Sequence, residues 1–317
     1  PLPARLPDPE PYWSLDDVAR RGIRNRFEGS PREAAERLDG LLRDSVRMRM
    51  IADVPVGALF SGGIDSTSVV AAMQEHSDRP VKTFTVSFDR AEHDESDAAR
   101  AVAEHLGTDH TELEVGGSDA LDLVPRLPEM YDEPLANPSQ IPTYMVCALA
   151  KQHVTVGLAG DGGDEVFGGY NRYVYGRRVL PRARGLPGPL RRGAAAALGA
   201  VSTETWDRLY RGLEPVLPAA ARHRLPGEKI EKMGGLLEGG DVDSMYRSLL
   251  SACRHPEELL RKGRERDGIG STLTSEEMVP DLLERMMLAD QRSYLPDDLL
   301  AKVDRASMAT SLEVRVP

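Results

Sequence analysis

Val54, Val56, Ala58 and Phe60, with Leu59 between them, form a short apolar run of the kind a strand buried on both faces requires. Beyond it, Ser66, Val69, Val70 and Met73 recur at helical spacing, so the polar residues 61–66 fall at a strand-to-helix turn. The period keeps switching along the chain. A helix over about Pro31 to Arg49 precedes the first strand, and after the helix at 65–76 come a strand at 81–88, a helix at 95–106, a strand at 110–115, helices near 118–131 and 139–152, and a strand at 153–159. Strands alternating with helices predict the α/β class, here a doubly wound parallel sheet. A break follows between Leu180 and Pro189, where proline and glycine accumulate. Past it lies a C-terminal helical region in which Leu282, Leu283, Met286 and Met287 pattern one apolar face, the methionines reading as core. The expected organisation is an extended linker or docking arm over the proline-rich residues 1–30, an α/β core over 31–175 and a mostly helical part over 176–317.

Composition narrows the class. With 40% hydrophobic and 29% charged residues in 317, the chain has the make-up of an ordinary soluble protein with one sizeable core. No stretch approaches the ~18 consecutive apolar residues of a membrane span, and the proline-rich start lacks a signal peptide's apolar centre, so a cytoplasmic protein without a membrane partner is expected. A formal charge of −11 disfavours a nucleic-acid partner, and the arginine-rich run 177–192 reads as a solvated loop. Cys147 and Cys253 sit in apolar helical contexts and read as reduced core residues.

The turn Ser61-Gly62-Gly63-Ile64-Asp65-Ser66 carries the chemistry. Adjacent glycines let the backbone approach phosphate oxygens, the helix N-terminus adds outward N–H groups and its positive dipole end, and two serine hydroxyls supply donors. Hydrogen bonds to a charged acceptor contribute roughly 1.5–3 kcal/mol each, so a few of them hold a polyphosphate. Asp65 makes sense among phosphate donors if Mg²⁺ bridges it to the phosphate; the bland alternative is a tight turn with a capping aspartate. A second loop tips the balance. After the apolar run Val154 to Leu158, the chain reads Ala159-Gly160-Asp161-Gly162-Gly163-Asp164-Glu165-Val166-Phe167-Gly168-Gly169-Tyr170, again a strand end entering a glycine-rich turn. Ligand sites of open parallel sheets lie outside the carboxyl ends of the strands, so both loops are expected to face one crevice. Three carboxylates within five residues call for solvent or a cation, and they lack the twelve-residue ligand spacing of a calcium loop.

At these residues the chain resembles a known family. SGGIDS at 61–66 is similar to the PP-loop of ATP pyrophosphatases (the adenine nucleotide alpha hydrolase-like fold), and GDGGDEVFGGY at 160–170 resembles the second nucleotide loop in the synthetase domain of glutamine-dependent asparagine synthetases. Further likeness lies in residues 81–88, in the acidic Glu92-His93-Asp94-Glu95-Ser96, in residues 103–110, in Asp132-Glu133-Pro134 and in the segment Tyr294 to Arg305. Without the family, Asp297, Asp298, Lys302, Asp304 and Arg305 read as a solvated helix face; with it, a face turned toward the crevice is favoured.

The resemblance implies ATP with its pyrophosphate on Ser61, Gly62, Gly63, Asp65 and Ser66, adenine near Leu59, Val86 and Gly160, Mg²⁺ on Asp65 and Asp164, and catalytic roles for Asp161, Asp298 and Lys302. The implied reaction is adenylation of the aspartate side-chain carboxylate with release of pyrophosphate, then attack of ammonia on the acyl-adenylate, Asp161 taking the proton. Asp161 is shorter than the glutamate of some relatives and Ala159 replaces a serine, two departures that bear on the acceptor. The resemblance further implies a glutaminase domain before position 1 as a partner in the full-length protein and a synthetase segment continuing past Pro317, and it leaves a homodimer open. Three other readings stand beside the leading one: a related amidotransferase on another carboxylate, of a secondary metabolite or a surface sugar; a β-lactam synthetase type, which would place tyrosine at position 161; and a degenerate nucleotide-binding module, against which the intact residues 61–66 and Asp164 speak.

Overall fold

The computed structural model of the protein describes residues 9–88, 96–213, 226–239, 241–251 and 273–317. These residues fall into two compact units. The first holds residues up to Gly163 together with Ser275–Pro280 and Leu295–Pro317, and the second holds Asp164–Thr274 and Asp281–Tyr294. The chain therefore passes out of the first unit twelve residues before the boundary at 175 drawn from the sequence, and its last segment, Leu295–Pro317, belongs to the first unit again.

The first unit is built on a five-stranded, all-parallel sheet of order β3-β2-β1-β4-β5, with β1 Val56–Leu59, β2 Lys82–Phe88, β3 Asp109–Val115, β4 Val156–Leu158 and β5 Glu313–Arg315. β1 pairs with β2 through Leu59↔Phe84 and with β4 through Ala58↔Leu158. Helices cover both faces. On one side α2 (Pro31–Arg49), α3 (Ile64–Glu75) and α4 (Ser96–Leu106) bury Val46, Val70, Met73, Ala99 and Ala103 against Ala58, Phe60 and Leu158. On the other, α7 (Gln140–Lys151) packs Cys147, Leu149 and Ala150 on Phe84 and Leu312, with Leu59 against the same cluster. Leu59 thus faces away from its neighbours Ala58 and Phe60, the period-2 alternation of a strand covered on both sides. The doubly wound parallel sheet expected from the sequence is the fold observed.

Several expectations are revised. Residues 1–30 are not extended throughout: α1, Leu15–Arg24, begins at a Ser14 cap that accepts from the Asp17 N–H at 3.4 Å, with Asp16 and Asp17 in its first turn. The prolines of residues 1–30 all precede residue 12, so none interrupts 15–24, and the acidic first turn favours the helix despite Gly22. α2 opens on a capping box in which the Ser30 N–H donates to Glu33 at 2.7 Å, Pro31 following as first helical residue. Between β3 and α7 the predicted helix breaks into α5 (Gly117–Leu123), a 3₁₀ turn and α6 (Leu127–Met130), because Pro125 and Pro128 remove donors. Val54, expected in the first strand, is exposed outside it. Glu92 to Glu95 and Cys253 lie outside the described residues, whereas Cys147 is buried and free, its thiol pushed up to about 12 by burial and then by the charge of Asp161.

The second unit is helical among its described residues. After α8 (Gly163–Phe167), which opens on the last residue of the first unit, come α9 (Asn171–Arg184), α10 (Gly188–Gly199), α11 (Thr203–Leu213), α12 (Pro226–Glu238), α13 (Val242–Leu250) and α14 (Leu282–Arg292). Tyr173, Leu180, Met245, Tyr246 and Met286 are fully buried at its centre. Asp290, also fully buried, accepts hydrogen bonds from Arg172 at 2.6 Å, the Tyr173 hydroxyl at 2.6 Å and the Tyr246 hydroxyl at 2.8 Å. The arginine run expected as a solvated loop is instead largely helical: α9 continues through Pro181, the chain breaks only at Gly185 to Pro187, and Arg191 is buried on α10.

Candidate active site

The order β3-β2-β1-β4-β5 places the switch of winding direction between β1 and β4. The loops leaving the carboxyl ends of those two strands are residues 60–63 and 159–162, and a crevice at this point is where such sheets bind ligands. The two loops touch. A Cβ added to Gly160 would lie 2.7 Å from the Ser66 backbone nitrogen, and one on Gly163 would lie 2.5 Å from the carboxylate carbon of Asp65. Any side chain at either position would fill the gap, so glycine is what lets the loops meet. Gly62 (φ 73°) and Gly162 (φ 94°) occupy the left-handed region, one in each loop.

Within the first loop the two serines close a ring. The Ser61 N–H donates to Ser66 Oγ at 3.3 Å, the two hydroxyl oxygens lie 3.1 Å apart, and the Gly63 N–H donates to Ser61 Oγ at 3.3 Å. Ser61 and Gly63 are exposed, while Ser66 is buried in the first turn of the twelve-residue α3. Gly63 caps α3 without a side-chain bond, which leaves the first-turn N–H groups for an anion. Leu59 and Val86 lie toward the carboxyl ends of adjacent strands and are both half-buried, Leu59 against the α7 cluster.

The second part of the site comes from the returning C-terminal segment. Leu295–Leu300 forms a π-helical turn, a form that recurs at functional sites, and it runs into α15, Ala301–Ala309. A Cβ on Gly162 would sit 3.8 Å from Leu295, so this turn borders the second loop. Lys302, buried at 6% exposure, donates from Nζ to Ser139 Oγ at 3.0 Å. Ser139 donates in turn to Asn137 Oδ1 at 2.6 Å, and Asn137 Nδ2 donates to Asp298 Oδ1 at 2.7 Å. Asp161 faces the same group. Burial raises its pKa, the Lys302 ammonium opposes that rise, and Asp65 adds to it. Tyr131, whose hydroxyl donates to the Lys302 carbonyl at 3.4 Å, is pushed up to about 12 by burial.

The first unit thus brings together Ser61, Gly62, Gly63, Asp65, Ser66, Gly160 and Asp161, and it joins Asp298 to Lys302. Of the charges on the closing segment, Asp304 and Arg305 are exposed and Arg305 pairs with Asp132 at 2.6 Å, as on an ordinary solvated face. Asp164 opens the second unit, in the first turn of α8, where Glu165 is fully buried and accepts from the Tyr170 hydroxyl at 2.6 Å. Sequence reasoning missed Asn137 and Ser139; the only signal they carry is an Asn-Pro-Ser turn at the start of α7.

The parallel sheet, the SGGIDS turn after its central strand and the glycine-rich loop beside it define the PP-loop class of α/β proteins. Residues 37–317 match the model of the asparagine synthase family, and the chain belongs to that family. It is 31% identical over 277 residues to asparagine synthetase [glutamine-hydrolyzing] 1 of Bacillus subtilis, covering 86% of this chain and 40% of that protein. A putative asparagine synthetase [glutamine-hydrolyzing] of Mycobacterium tuberculosis is 33% identical over 310 residues, 96% of this chain and 44% of its own length. A more distant likeness, 32% over 192 residues, covers 54% of this chain and 27% of the amidase chry2 of Gibberella zeae. The chain spans less than half the length of the first two relatives.

Proposed function

We propose that this chain carries the synthetase chemistry of an asparagine synthetase-type amidotransferase: ATP adenylates the side-chain carboxylate of aspartate, and ammonia, normally derived from glutamine by a glutaminase domain, displaces AMP to give asparagine. The observation that carries the reading is the meeting of the two loops at the switch point, with Asp65 seated against Gly163 and Ser66 against Gly160. Ser61, Ser66 and the first-turn N–H groups of α3 bind the pyrophosphate portion of ATP, and Leu59 and Val86 offer apolar surface to the adenine. Holding the triphosphate in line with the acceptor and stabilising the departing pyrophosphate are what these residues contribute to the first step.

Mg²⁺ fits this donor set. Asp65 offers one carboxylate at the start of α3, and Mg²⁺ takes one or two carboxylates and completes its shell with phosphate oxygens and water. Asp65 is the carboxylate of the first unit that would hold it; for Asp164 the assignment rests on the sequence pattern. When bound, the ion neutralises charge on the phosphates. In the second step ammonia must lose a proton, and Asp161 is the base, its basicity raised by burial and moderated by the Lys302 ammonium.

The test is pyrophosphate release by the protein containing residues 1–317. Release is expected to require ATP and aspartate, sustained turnover is expected to require ammonia as well, and Asp65→Ala is expected to lower it by at least about a hundredfold, the size of losing one organising electrostatic contact. Equal turnover of ATP without aspartate would remove aspartate as the acceptor, and a carboxylate screen would then identify which other carboxylate a related amidotransferase uses.

A further inference from the structure

Asp298 and Lys302 lie one turn apart on the closing segment, and nothing in their own helix fixes how their side chains are aimed. The fixing comes from elsewhere in the chain. Asn137 and Ser139, on the turn that starts α7, form a continuous hydrogen-bonded bridge from the Lys302 ammonium to the Asp298 carboxylate: Lys302 Nζ to Ser139 Oγ at 3.0 Å, Ser139 Oγ to Asn137 Oδ1 at 2.6 Å, Asn137 Nδ2 to Asp298 Oδ1 at 2.7 Å. The Ser139 backbone N–H also donates to Asn137 Oδ1 at 3.1 Å. Two donors on Oδ1 and a carboxylate facing Nδ2 set the orientation of the amide uniquely. All four side chains are half-buried or buried, so the bridge works where screening by water is weak.

We infer that Asn137 and Ser139 are positioning residues for the acceptor half of the reaction, holding Lys302 beside Asp161 and Asp298 at a fixed orientation, and that Asn137 must be neutral to do so. The inference rests on the proposed chemistry. Its physical content is that each link has one acceptable chemistry. The Lys302 ammonium offers three donors and a buried one needs acceptors. Ser139 is the acceptor that also passes a proton onward, which alanine cannot do. Asn137 must donate to a carboxylate on one side and accept from a hydroxyl on the other. An aspartate there has the acceptor but not the donor, and it would set two carboxylates against each other unless one is protonated.

The experiment measures pyrophosphate release at saturating ATP with varied acceptor, and at saturating acceptor with varied ATP, together with thermal melting of each variant. Ser139→Ala is expected to lower kcat/KM for the acceptor about ten- to a hundredfold, as for removing a hydrogen bond to a charged group, while KM for ATP stays within about twofold. Ser139→Thr keeps the hydroxyl and is expected to recover most of the loss. Asn137→Asp is expected to work where the new pair of carboxylates holds one proton, mimicking the amide donor, and to lose activity as pH rises and that proton leaves. The wild type, with an amide at 137, is expected to show no such falling limb over the same pH range. The inference is overturned if Ser139→Ala and Asn137→Asp keep wild-type acceptor kinetics and pH profile, or if acceptor and ATP parameters fall together with the melting temperature, as a merely structural role would produce. If the wild type releases no acceptor-dependent pyrophosphate, it is the proposed function that fails.

Discussion

Burial lifts the pKa of Asp161, the Lys302 ammonium pulls it back, and the nearby Asp65 adds to the lift. The net direction is upward, which makes Asp161 a better base than an exposed aspartate and a worse neighbour for the fold. A carboxyl group whose folded pKa exceeds its unfolded value contributes stability that is fully present below the unfolded pKa and is lost as pH rises through the folded one. Near neutral pH the ionised Asp161 is therefore a cost to the fold, one that its proposed role as base requires. Asp161→Asn is expected to melt at a higher temperature than the wild type at neutral pH, the difference shrinking as pH falls below the ordinary aspartate range. The same variant is expected to slow amide formation by about 10²–10⁴, the usual contribution of a positioned base, while exchange of pyrophosphate into ATP persists. A melting difference that does not change with pH would show that the buried charge is not its origin, and equal loss of exchange and amide formation would deny Asp161 a separate role in the second step. Glu165 in the second unit shares the direction of shift, through burial first, but its carboxyl is tied to Tyr170.

At the scale of elements, the two loops owe their contact to two glycines that fail in different ways when changed. A methyl group on Gly160 meets backbone, the Ser66 nitrogen at 2.7 Å, which cannot yield without moving the start of α3. On Gly163 it meets the Asp65 carboxylate at 2.5 Å, the end of a side chain that can rotate away. Gly160→Ala is thus expected to lower stability by about 1–3 kcal/mol, as overpacking does, and to weaken ATP use with it. Gly163→Ala is expected to leave the melting temperature nearly unchanged and to reduce ATP-dependent pyrophosphate release by displacing Asp65. Melting curves beside ATP saturation curves separate the two; equal destabilisation by both would mean that Asp65 is held as rigidly as the backbone. Much of this element structure is legible in the sequence because strands buried on both faces are continuous apolar runs and the helices between them keep a 3.6 period. β5 escaped: three residues, Glu-Val-Arg, are too few to establish a period, and their partner strand β4 lies more than a hundred residues earlier in the chain. α1 escaped because proline density before residue 12 masked a capped helix after it. The loops announced their chemistry through glycine and carboxylate spacing, whereas Asn137 and Ser139 are small polar residues with no distinctive pattern. Their meaning arises only when the fold sets them against residues about 160 positions away.

For the whole molecule, charge and site point in opposite directions. The polypeptide carries a formal −11, and no helix among the described residues is long and apolar enough to cross a membrane. Yet the proposed ligand is itself an anion, so the long-range field of the chain opposes the approach of ATP and only the short-range donors of the loop attract it. Long-range repulsion is screened over about 10 Å at 0.1 M salt, while hydrogen bonds from backbone N–H groups and hydroxyls at a helix N-terminus act at contact and are screened far less. Raising inert salt from about 50 to about 200 mM should therefore leave kcat/KM for ATP unchanged or raise it slightly. A protein that gathers phosphates with a surface of lysine and arginine behaves oppositely, losing about 10³–10⁵ in affinity over the same interval when it neutralises many phosphates. Steady-state rates at fixed Mg²⁺ and subsaturating ATP across that range decide between the two. A steep fall would require a concentrated basic surface steering the nucleotide, which the loop of serines and glycines after β1 does not supply, and the phosphate site would have to be sought among the arginines instead.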